Sequence, residues 1–190
     1  MGRAAAIALA IAGFTAAFAI AAGSPVFAQD AVKIDPKNPP KAEMIPAPGG
    51  AVVIPSPRHR QVYDAYGYAP ARRVGDMLYV SGAIVFRLPE EGTDAAAFEA
   101  QVRRTFKALD FTLKQAGASW DDVVMINSFH VWDGPDFKGE RIGQIEVMNK
   151  VRAEFSKAPH PAWTAVGTTG LLQPGGIVEV QLIAAMPKRP

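Results

Sequence analysis

Cysteine is absent from the 190 residues, and histidine occurs only three times. The missing thiols exclude disulfide cross-links, thiolate nucleophiles and every cysteine-ligated metal centre. Neither sign of charge is in excess: 20 Lys and Arg stand against 18 Asp and Glu, a formal net charge of +2. A balance this close to zero gives no electrostatic footprint for nucleic acid.

One long hydrophobic run is present, and it comes first. Met1-Gly2-Arg3 gives a positive start, Ala4 to Ala22 is almost unbroken apolar sequence, and small residues lead to Val26-Phe27-Ala28. This order predicts a secretory signal peptide over residues 1–28, cleaved after Ala28, and a periplasmic location. A retained anchor is the alternative, since about 19 apolar residues approach the spanning length. The dominance of Ala and the Val-x-Ala ending favour cleavage, so no stable membrane anchor is expected. Loss of Arg3 leaves 19 basic residues against 18 acidic ones. Without disulfides, the exported chain must be held by packing and by association.

Pro36, Pro39, Pro40, Pro46, Pro48, Pro55 and Pro57 crowd the next segment. Residues 29–57 read as a Pro-rich N-terminal extension, an extended tether in which Ala51 to Ile54 adds an edge strand. Residues 58–190 then form one domain. Met77 to Ser81 follows the Gly75-Asp76 turn and reads as a strand. Asp94 to Ala116 reads as an amphipathic helix, with Phe98, Val102, Phe106, Leu109 and Leu113 on one stripe. Thr93 or Asp94 can cap its start, and Gly117 can end it. Asp122 to Trp132 is a second strand, and Ile177 to Ala185 a third. Lys138 to Phe155 is a second helix through Ile142, Ile145, Met148, Val151 and Phe155. The order predicts an α+β fold with two helices packed on one face of a sheet.

Both faces of that sheet read as apolar. In the second strand Val123, Met125, Phe129 and Val131 share one side, and Val124, Ile126 and Trp132 the other. Two helices cover one face only, so a second subunit is expected on the open one. In the last strand, alternation sets Val178, Val180 and Leu182 against Ile177, Glu179, Gln181 and Ile183. Glu179 thereby faces the expected interface. A carboxylate there is either a general base holding water or one half of an ion pair with a neighbouring subunit's arginine.

From Tyr68 to Ala185 the chain resembles the RidA/YjgF family of reactive-intermediate imine and enamine deaminases. The segments "YAPARRVGDMLYVSGAI", "TFKALDFTLKQAGASWDDVV", "MNKVRAEF", "HPAW" and "GIVEVQLIAA" carry the resemblance through their order and spacing. It implies a chorismate-mutase-like α+β fold on a mixed sheet, a homotrimer, and small-molecule clefts between subunits. It also implies hydrolysis of small imines without metal or cofactor. Residue by residue, the family's site tyrosine falls on Tyr68, its serine on Ser81, its second-helix asparagine on Asn149 and its last-strand glutamate on Glu179. The family's Pro-Ala-Arg motif, whose arginine clamps the substrate carboxylate, here reads Pro161-Ala162-Trp163.

An indole offers one N–H and a π face but no charge. Loss of a buried charge-assisted pair costs on the order of 2–5 kcal/mol. Little or no hydrolysis of ordinary 2-imino acids is therefore expected, with Trp163 stacking on a less anionic or aromatic imine. Arg72, Arg73 and Arg152 are candidates to restore the charge, although each reads as a solvated surface residue. The segment "DGPDFKGERIGQIEV" and the connection "GTTGLLQPGG" are both longer than the family pattern and can reshape the cleft. Two functions remain open: a cofactor-independent hydrolase using Glu179 and Ser81, and a non-catalytic binding or protective trimer.

Other candidates are weaker. His130, His160 and Glu179 lack metal-ligand spacing. "GTTG" is not a nucleotide loop. Arg58-His59-Arg60 with Arg72-Arg73 is the one basic grouping to suggest RNA, against the near-neutral charge.

Overall fold

The computed structural model describes residues 40–186. The expected signal peptide, its cleavage site and residues 29–39 of the extension lie outside the described residues. Within them, no helix is long and apolar enough to cross a membrane.

The Pro-rich segment departs from the expected tether. Strands β1 (Glu43–Ala47) and β2 (Gly50–Ile54) form a hairpin, Ala47 opposite Gly50. Pro48-Gly49 fits a tight turn, with proline fixing φ at the first central position and Gly49 at φ 74°. Pro46 is tolerated because β1 is the sheet edge, where an absent N–H need break no ladder bond. Residues 51–54 do form a strand, but it lies second from the edge. Helix α1 (Pro57–Tyr66), also unexpected, starts with Ser56 as N-cap and Pro57 in its first turn, and ends at Gly67 with φ 69°.

The rest of the sheet comprises β3 (Ala71–Val74), β4 (Met77–Phe86), β5 (Val123–His130), β6 (Ala162–Gly167) and β7 (Gly176–Ala185). Its seven strands run β1-β2-β3-β4-β7-β5-β6, antiparallel except for the β5–β6 pair. The parallel pair requires a crossover. Helix α3 (Arg141–Arg152) supplies it, and α2 (Ala95–Gln115) links β4 to the 3-10 turn Trp120–Asp122 before β5.

Helix α2 follows its sequence pattern. Asp94 accepts the N–H of Ala97, and the five stripe residues are all buried against the sheet. Phe106 stacks on Trp120 at 4.9 Å, and Phe155 meets both rings from beyond α3. Arg103 with Glu154, and Lys150 with Glu99, join α2 to α3 outside that core.

Two face assignments are corrected by bulges, where an extra residue reverses alternation. A register shift between Val123 and Met125 puts Val123, Ile126, Ser128 and His130 on the helix side. Val124 and Phe129 are exposed. A second shift beside Gly176 leaves Ile177 without a register partner on β4 and buried with Val178, Val180 and Leu182, while Glu179, Gln181 and Ile183 remain only half-buried. Helix α3 is shorter than expected and buries Gln144, Met148, Val151 and Arg152; Ile142 is 61% exposed.

Candidate functional site

Glu179 stands at mid-β7, across from Ile84 on β4 and Phe129 on β5, on the face opposite α2 and α3. A bulge in β4 between Val80 and Ala83 brings Gly82 beneath it. A Cβ at residue 82 would lie 1.9 Å from the Glu179 Oε1, so only glycine leaves the carboxylate its place. The bulge also turns Ser81 toward the preceding loop. Its N–H donates to Pro70 O at 2.9 Å, and its hydroxyl to Ala69 O at 2.6 Å. These bonds pin residues 69–70 and hold Tyr68 near Glu179.

No donor among the described residues bonds the Glu179 carboxylate. Burial pushes its pKa above the ordinary carboxylate value. The Tyr68 hydroxyl is also raised, first by burial and then by the negative charge of Glu179. A partly desolvated carboxylate with no cation beside it is a stronger base than a solvated one.

Trp163 belongs to the opposite face. Its register partner is Ile126 of β5, and its indole packs against the helix-side core. The Nε1–H donates to Ser128 Oγ at 2.8 Å, Ser128 Oγ lies 2.8 Å from His130 Nε2, and His130 Nδ1 lies 2.9 Å from Gln144 Oε1. Gln144 Nε2 donates to Val131 O, which turns its oxygen toward the imidazole. Nδ1 therefore carries hydrogen. Burial lowers the His130 pKa against the opposing bond to Gln144, so the neutral ring accepts the Ser128 hydroxyl through Nε2. The chain of bonds runs Trp163 to Ser128 to His130 to Gln144 and consumes the indole's sole N–H. What Trp163 can offer a ligand is its ring.

Asn149 is on α3, exposed, and its Oδ1 accepts from Arg152 Nε and Nη2, each at 3.1 Å. The five expected site residues thus divide between faces of one sheet. Tyr68, Ser81 and Glu179 gather on the open side; Asn149 and Trp163 lie on the helix side. His130 and Glu179 likewise face apart, and no group of three His, Asp or Glu among the described residues is placed to hold a metal.

Sequence reasoning missed Gly82, the Ser128–His130–Gln144 support and the burial of Arg152. A glycine inside an otherwise good strand was a usable signal for the first. Within the basic grouping, Arg60 pairs with Glu43 and Asp64, Arg72 donates to Pro48 O, and Arg73 to Gly75 O. A hollow of about 320 Å³ near Asp121 and residues 153–159 lies beyond the end of α3, away from Glu179.

Residues 59–186 match the family model described as Endoribonuclease L-PSP. The RutC family protein YjgH of Escherichia coli (strain K12) is 39% identical over 137 residues, 72% of this chain and 95% of that protein. The crystal structure of RidA from the Antarctic bacterium Psychrobacter sp. PAMC 21119 is similar at 27% identity and a TM-score of 0.50, covering 64% of this chain and 90% of its own. Rv2704 from Mycobacterium tuberculosis, of the YjgF/YER057c/UK114 family, is similar at 26% identity and a TM-score of 0.51, with 66% and 92% covered. With its chorismate-mutase-like α+β sheet and helices, the chain belongs to the RidA/YjgF family.

Proposed function

We propose that the protein is a periplasmic homotrimer that hydrolyses a small imine or enamine in clefts between its subunits. The observation that carries this reading is Glu179: half-buried, raised in pKa, without a donor, and set over Gly82 beside Tyr68. The step suited to it is addition of water to an imine carbon. Glu179 takes a proton from the water as the oxygen–carbon bond forms, giving a carbinolamine. Protonation of its nitrogen and cleavage of the carbon–nitrogen bond release ammonia and a carbonyl product.

The division of the site supports assembly. Trp163 and Asn149 cannot join Glu179 within one chain, but the open face of one subunit against the rim of another can unite them. Tyr79, Phe129 and Val166 are exposed on the described surface, and Met125 and Ile183 are half-buried on the open face. Such a face calls for cover.

The test uses imine generated in situ by a pyridoxal-phosphate dehydratase, with keto acid release followed over time. Glu179→Gln should lower the protein-dependent rate by about 10²-fold or more. An unchanged rate contradicts the proposal. The second reading, a non-catalytic binding trimer, is favoured by Trp163, whose uncharged ring replaces a clamp for carboxylate. It predicts saturable ligand binding with no Glu179-dependent release. Export has its own check: mass spectrometry of periplasmic protein should find a chain beginning at Gln29, and intact Met1 in a membrane fraction would show an anchor instead.

A further inference from the structure

Arg152 is the one lysine or arginine among the described residues that is buried, at 5% exposure. Its guanidinium stays charged at any working pH. Buried charges are ordinarily paired. Three half-buried arginines have carboxylate partners, Arg87 with Asp136, Arg104 with Glu91, and Arg103 with Glu99 and Glu154, while Arg72 and Arg73 reach backbone carbonyls from the surface. Arg152, the most deeply placed, has no carboxylate within ion-pair distance among the described residues. Its partners are neutral: Ser156 Oγ accepts from Nη1 at 3.2 Å, and Asn149 Oδ1 accepts from both Nε and Nη2.

That second contact is informative. The Nε/Nη2 edge presents two parallel N–H groups, the geometry that matches the two oxygens of a carboxylate. Here one amide oxygen serves both. Asn149 is exposed and stands at this edge, so a turn of its side chain opens the fork while Ser156 still holds Nη1.

We propose that Arg152 binds the carboxylate of a small organic acid, replacing the charge that Trp163 cannot supply. The carboxylate occupies the Nε/Nη2 edge with one oxygen per N–H, and Asn149 moves aside to donate its amide N–H to the same group. Placing this carboxylate in the catalytic cleft rests on the reading that the Asn149 side lines it. It amends the expectation drawn from Trp163 alone: 2-imino acids become acceptable substrates, held by α3 instead of β6.

The test is a titration of the full chain, with arginine side chains labelled by nitrogen-15 and the Arg152 Nε–H signal assigned through Arg152→Lys. The probe is 2-oxobutyrate, with methyl 2-oxobutyrate as its uncharged control. The acid should shift the Arg152 signal saturably and the ester should not. Arg152→Gln should weaken 2-oxobutyrate binding by on the order of 30-fold or more. An Arg152 signal indifferent to 2-oxobutyrate, as when a neighbouring subunit's carboxylate already occupies the fork, overturns the proposal; so does equal binding by a folded Arg152→Gln protein. Should Arg152→Gln fail to fold, the titration of the unaltered chain decides alone. Binding at Arg152 without imine turnover would overturn the hydrolase reading and leave this site standing. Turnover with an indifferent Arg152 would do the reverse.

Discussion

Glu179 is kept unpaired at a cost to the fold. Because burial raises its pKa, the folded chain favours the protonated carboxyl. Its contribution to stability is fully present below the unfolded value, near 4.5, and is lost as pH rises through the raised folded value. Glu179→Gln imitates the protonated form. Thermal unfolding at pH 7 should therefore give the variant a higher Tm than the unaltered protein, with the gain vanishing below about pH 4. An equal or lower Tm at pH 7 would mean that the assembled protein gives Glu179 a stabilising partner. Stability gained by removing a working group is the usual mark of a functional position. The opposite pattern holds for Glu99 and Glu154, lowered chiefly by hydrogen bonds from Lys150 and Arg103, and from Arg103, respectively. Their contribution is present above the unfolded value and lost as pH falls through the folded one.

Among the elements, α2 is the hub of the helical layer. Phe106 is fully buried and stacks on Trp120, which in turn meets Phe155. Phe106→Ala should destabilise the protein by about 3–5 kcal/mol in denaturant unfolding, since the rings around it cannot collapse into the cavity. A loss below about 1 kcal/mol would show that the layer is held elsewhere. This helix was legible because its cap, stripe and terminal glycine agree. The β1–β2 hairpin was not, because proline density suggests an unpaired chain; on an edge strand and in a turn, proline does no harm. Ser56-Pro57 was a usable start signal for α1, obscured by the same composition. The face errors in β5 and β7 come from bulges, where a period of two loses its phase. For the candidate site, the sequence pointed to Glu179 and Tyr68, and the structure brings them together. It pointed equally to Trp163, but the indole's attachment to Ser128 depends on pairing between strands far apart in the chain. Arg152 read as a surface residue because arginine usually is one. Its place beside Met148 and Val151 on the buried side of α3 overrides that tendency.

At the scale of the whole molecule, the central claim is that one chain holds two half-sites and that a cleft joins halves from different subunits. Light scattering should first give about three times the monomer mass, the cyclic assembly the proposal requires. The direct measurement is complementation. Glu179→Gln removes one half-site and Asn149→Leu blocks the other, so each variant alone should lose imine hydrolysis. Co-expressed, they should form mixed trimers in which some clefts combine an intact Glu179 side with an intact Asn149 side, and keto acid release should return to a fraction of the unaltered rate. Recovery in mixed trimers, absent from either variant alone and from the two purified trimers simply combined in the assay, is the predicted result. Mixed trimers as inactive as their parents, or full activity in a monomeric protein, would contradict the account.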